Sequence, residues 1–124
     1  MDEAKIIKTP VSEKISLSDA EDFSRPGFDG HVYVPSEAGA GFNTLLVDVH
    51  GRHPLKRMVD TTRTYFVVAG SGTFTLDGAA SAVAVGDLFV VAPGSTYAYE
   101  GQMQLLEVNI SPDNSFKDET LGRG

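Results

Sequence analysis

The hydrophobic positions of this chain fall in short runs rich in Val, Thr, Phe, Tyr and Leu, each closed by Gly, Pro, Asp or Asn. Seven such runs lie at 43–51, 64–70, 72–78, 81–87, 87–94, 95–101 and 104–110. Short apolar runs with that punctuation predict β-strands, and their even spacing predicts an all-β sandwich or barrel. Asp77-Gly78 is a two-residue hairpin signal, Gly70-Ser71-Gly72 predicts a tight corner, and 35–42 reads as a loop. The first forty residues are less periodic: 5–10 and 31–35 read as strands, and 16–23 as one helical turn capped by Ser18. Beyond Pro112 the chain is polar, and a docked or frayed tail of little weight is expected there. Phe66, Val68, Phe74, Leu76, Leu88 and Val90 are the expected core.

Composition narrows the function classes. The 124 residues, 41% hydrophobic, suffice for one core, so 1–124 is expected to be a single domain. There is no Cys, which excludes disulfides, thiolate metal sites and cysteine nucleophiles. A net charge of −7 argues against nucleic acid as a partner, because a phosphate backbone requires a basic face. The opening 1–10 lacks the apolar run of a signal peptide or membrane span, so no membrane association and a cytoplasmic location are expected.

Two glycine-framed spacings stand out. Gly51, Arg57, Val59, Arg63 and Gly70 follow the intervals of one, and Gly86, Ala92, Gly94, Tyr97 and Gly101 those of the other. These match the two motifs of the small single-domain cupins over about 43–110, with the metal-ligand positions replaced. The chain therefore resembles a cupin of the RmlC-like kind. The resemblance implies a double-stranded β-helix, or jelly-roll barrel, of two antiparallel sheets, and often a homodimer. It also implies that Arg57, Val59, Arg63 and Tyr97 stand where the family holds its metal. Arg has no lone pair to offer and Val has no donor, so neither a metal nor another cofactor is expected there. A displaced metal site at His50 and His53 with Asp48 is the alternative.

With side chains alternating across a strand, Tyr65 shares the face of Arg63, and Tyr99 that of Tyr97. Arg57, Val59, Arg63, Tyr65, Tyr97 and Tyr99 are thus the candidate lining of the barrel mouth. Two guanidiniums in a concave site suit a small anionic or polyhydroxylated ligand, a carbohydrate or a carboxylate. An internal acid, Glu107 or Asp48, could neutralise them instead. The catalytic candidates are Tyr97, with a pKa lowered by neighbouring cations, and His50, oriented by Asp48 two residues away. Three functions remain open: a metal-independent binding protein; an isomerase, epimerase, cyclase or lyase using Tyr97 with Arg57 or Arg63; and a sensory or partner-binding module with a filled pocket.

Overall fold

The computed structural model describes residues 7–122. Nine strands follow one another: β1 Glu21–Arg25, β2 Phe28–Val34, β3 Phe42–Val49, β4 Leu55–Met58, β5 Thr62–Leu76, β6 Ala79–Val83, β7 Leu88–Val91, β8 Thr96–Ile110 and β9 Asp118–Gly122. All pairings are antiparallel. They form one curled sheet in the order β1-β2-β3-β8-β4-β9, and β5 joins it through β8 while carrying β6 and β7. The expected two sheets are thus continuous, because the 15-residue strands β5 and β8 run from one layer into the other.

That continuity corrects two expectations. Runs 64–70 and 72–78 are one strand, and so are 95–101 and 104–110. Gly70-Ser71-Gly72 is not a corner but a bend in a paired strand, with the register slipping between Val67 and Ala69. Glycine is required there because β5 and β8 nearly touch: a Cβ on Gly70, at φ +90°, would lie 2.2 Å from the carbonyl oxygen of Gln102. Asp77-Gly78 is the hairpin turn expected, both residues at positive φ.

The helical turn is a 3₁₀ turn, Leu17–Asp19, entered at Ser16, not Ser18; the Asp19 carboxylate accepts the Ser16 N–H at 3.2 Å. Residues 21–23 belong to β1 instead. Of the expected strand at 5–10, residues 7–10 are irregular, and 5 and 6 lie outside the described residues. The tail is docked: β9 pairs with β4. Ahead of it, Asp60 accepts hydrogen bonds from the Ser115 hydroxyl and the Lys117 N–H.

The barrel interior holds Tyr65, Val67, Phe74, Val91, Tyr97 and Leu105, all at 0% exposure. Phe74 stacks on Phe89 at 4.2 Å, and Leu76 packs against this cluster. Phe66, Val68, Leu88 and Val90 do not join it; they lie 40–59% exposed on the outer face. The runs at 64–70 and 87–94 are apolar on both faces, so alternation alone does not say which set turns inward. Among the described residues, no helix is long and apolar enough to cross a membrane.

Candidate functional site

Register decides which side chains meet inside the barrel. Arg63 lies opposite Asn109, Tyr65 opposite Glu107, and Asn43 opposite Asn109, all facing inward. Tyr97 and Tyr99 join them from the other half of β8. Arg63, only 13% exposed, donates to Asn109 Oδ1 and to the Tyr97 hydroxyl, each at 2.5 Å. Its guanidinium also lies 3.3 Å from Glu107 and 3.3 Å from Asp118 on β9. Asn109 Nδ2 donates to Glu107 and to Asn43, both at 2.7 Å. Burial works against the charge of Arg63, but Glu107 and the adjoining phenols outweigh it and hold the guanidinium protonated. The internal acid is therefore Glu107, not Asp48.

The phenols are dry. Tyr65 and Tyr97 share a 3.0 Å hydrogen bond, whereas the buried Tyr99 hydroxyl has no partner. Burial pushes the Tyr97 phenol up to about 12, more than Arg63 lowers it, and also raises Tyr65 and Tyr99 well above the ordinary phenol value. The expected lowering by cations is overturned by desolvation, so these tyrosines are proton donors at neutral pH rather than bases.

The remaining candidates lie elsewhere. Lys56 is paired with Tyr97 and shares its face, which turns Arg57 outward, where it meets Glu119 at 3.4 Å. Val59 is 48% exposed; the buried neighbour is Met58. Asp48 faces outward from β3, accepting from Gln104 at 3.0 Å and lying 2.8 Å from His31 Nε2, whose Nδ1 is 2.8 Å from Asp22. His50, half-exposed, sits 3.5 Å from Asp29. Asp48 thus partners His31 and does not orient His50. No set of three or more His, Asp or Glu side chains is placed to hold a metal ion among the described residues. This includes His50 and His53, since only His53 turns inward.

His53 is the residue that sequence reasoning undervalued. It is 3% exposed, with its ring stacked on Tyr99 at 4.5 Å, on Tyr97 at 5.1 Å, and tilted against Phe28 at 5.1 Å. Its backbone N–H donates to the Tyr99 carbonyl, which ties the 50–54 segment beneath β8. The segment packs so closely that Gly27, at φ +93°, could carry no Cβ: one would lie 2.4 Å from the Arg52 carbonyl oxygen. Nδ1 lies 2.7 Å from the Pro54 carbonyl oxygen, which can only accept, so Nδ1 bears the proton and Nε2 keeps its lone pair. Burial pushes the imidazole down to about 3, leaving it neutral.

On its other side His53 borders a cleft of about 560 Å³. Phe28, Pro26 and Pro54 supply its apolar surface, and Arg25, Arg52, Lys56 and Thr120 its polar surface. The imidazole is thus a partition between an open, cation-bearing mouth and a packed tyrosine interior.

This barrel, with its charge-filled centre, is a cupin fold. No protein-family model matches the sequence, and no curated protein matches it. Among solved structures, the chain is similar to the Streptomyces protein PAC13 in a variant bound to uridine: 23% identity, 92% of this chain and 93% of that chain covered, TM-score 0.78. PAC13 is described as a nucleoside dehydratase, and further uridine complexes carry a tyrosine or a histidine replacement. Ectoine synthase from P. lautus aligns at 14% identity over 94% of this chain and 92% of its own, TM-score 0.71. KdgF from Halomonas sp. aligns at 13% identity over 81% and 94%, TM-score 0.69. At these identities the likeness carries the fold.

Two predictions follow from the buried groups. Replacing Arg63 with Met strands Glu107 and should cost about 3–5 kcal/mol in chemical denaturation; adding Glu107→Gln should recover much of the loss. An additive double variant would contradict the pairing. For His53, whose folded pKa lies below its unfolded value, stability is complete above about pH 6.5. It should fall as the pH drops toward 3, because only the unfolded chain then takes up the proton. His31, raised by its bonds to Asp22 and Asp48, acts in the opposite sense, so the comparison belongs in a His31→Asn background. There, denaturation between pH 6.5 and 5 should show a shallower slope for His53→Phe than for its parent.

Proposed function

We propose that this protein binds a small polyhydroxylated molecule, anionic or nucleoside-like, in the cleft bordered by His53, without a metal. The observation that carries this reading is the cleft itself: an apolar floor of Phe28 and two prolines, cations at its edge, and a neutral imidazole between it and the tyrosines. Concave apolar surface with a few placed polar groups is what small-molecule sites require. Arg63 supports the site from behind, its charge already matched by Glu107 and Asp118. The uridine bound by PAC13 makes nucleosides the first ligands to try.

A second reading, lyase chemistry, is favoured by the pairing of groups. His53 Nε2 has a lone pair to accept a proton from carbon, and Lys56, which lines the same cleft, has a proton to give to a departing hydroxyl, which leaves as water. Nucleosides, sugar acids and monosaccharides are the panel for a thermal-shift assay, with proton NMR to follow loss of water. A concentration-dependent rise in melting temperature that disappears in His53→Gln supports binding, and dehydration lost in the same variant supports the lyase. A panel that leaves the melting temperature unmoved counts against both.

We also propose a homodimer through the outer sheet face, where Phe66, Val68, Leu88, Val90 and Ile110 are 40–59% exposed. A contiguous apolar face of this kind marks an association surface. Sedimentation velocity should give a dimer that Phe66→Asp with Leu88→Asp converts to monomer; a monomeric parent rules the interface out.

A further inference from the structure

The cleft carries charge of one sign. Arg25, Arg52 and Lys56 all line it and no carboxylate does, in a chain of net charge −7. Two of these cations also reach acids outside the lining, Arg52 to Glu100 at 3.4 Å and Lys56 to Asp118 at 3.5 Å. Arg25 forms no ion pair among the described residues. Its guanidinium donates to the Ser24 carbonyl at 2.9 Å and lies 4.8 Å from the centre of the Phe23 ring, which fixes its place without neutralising it.

Arg52 and Lys56 each have an acid beside them, so the excess positive charge at the opening is that of Arg25, and a neutral ligand supplies no counter-charge to it. A phosphate does, and the planar guanidinium fork matches its oxygens. Beneath the cations the floor is apolar, the Phe28 ring with Pro26 and Pro54, and His53 backs it with its ring 5.1 Å from that of Phe28. Such a surface favours a planar ring over a sugar alone.

Building on the cleft as the ligand site proposed above, we infer that its ligand is a nucleoside carrying an anionic group on the sugar, of the nucleoside 5′-monophosphate class. The base lies toward Phe28 and His53, and the phosphate is held by Arg25, with Arg52 and Lys56 flanking. Arg25 then reads the anionic group and so determines specificity.

The test is calorimetric titration of the full chain with the four common ribonucleosides, their 5′-monophosphates, and inorganic phosphate. The expected result is a nucleotide that binds at least about tenfold more tightly than its own nucleoside at low salt, the value of one charge-assisted contact. This ratio should shrink at high salt and in Arg25→Ala, and be partly restored in Arg25→Lys, with far-ultraviolet circular dichroism verifying the fold of each variant. Equal affinity for nucleoside and nucleotide overturns this inference but leaves the cleft as a ligand site. An unchanged ratio in Arg25→Ala overturns the role of Arg25. Inorganic phosphate binding as tightly as the nucleotide removes the ring from the proposal. No binding by any nucleoside or nucleotide overturns it together with the nucleoside-like reading of the cleft, and a response to sugar acids in that case leaves the cleft only as a site for small anions.

Discussion

The positive charge of Arg63 must be matched inside the barrel, and much of the interior is arranged to do so. A guanidinium taken out of water is too costly to leave alone. Here β8 provides Glu107, Asn109 and Tyr97, and β9 provides Asp118. Asn43 on β3 then holds Asn109 in place from the far side. One inward-facing arginine on β5 thereby fastens four strands to a common point, and the register of each is fixed by which of its residues reaches that point.

The same arrangement separates the interior from the cleft. The centre is occupied by an ion pair and three phenols, which leaves the open space at the mouth. His53 marks the boundary because it is bound on both sides: its backbone to β8, its ring to Tyr97, Tyr99 and Phe28. The close approach at Gly27 lets the 50–54 segment reach that depth. Rigid packing of this sort holds a side chain in one orientation better than an exposed loop would.

Fold class was legible in the sequence, since run length and punctuation gave an all-β sandwich or barrel and the resemblance carried by the two glycine-framed spacings implied the cupin type. That Arg63, Tyr65, Tyr97 and Tyr99 face inward was legible too, because alternation from one inward residue places its neighbours, but they fill the interior and do not line the open mouth as expected. Arg57 and Val59 were not. The spacing pointed to them, but the pairing of Lys56 with Tyr97 turns the opposite set inward, and that pairing is a tertiary fact. Phe66 and Leu88 were misread for a related reason: a run apolar on both faces carries no phase. His53 left only a faint trace, a histidine beside a proline in a loop, and its depth depends on glycine contacts far away in sequence. Asp118 left none, since an acid in a polar tail looks like any solvated carboxylate.

The contribution of Asp118 bears on how the chain matures at the ribosome. Synthesis proceeds from the N-terminus, and segments acquire structure as they emerge. Arg63 appears early, Glu107 and Asn109 more than forty residues later, and Asp118 after every other member of the network. A nascent chain halted before that residue holds its central cation under-compensated and leaves β4 as an unprotected sheet edge, open to pairing with another chain. Docking of β9 thus does two things in one event: it brings the last counter-charge to the guanidinium and covers the edge of β4.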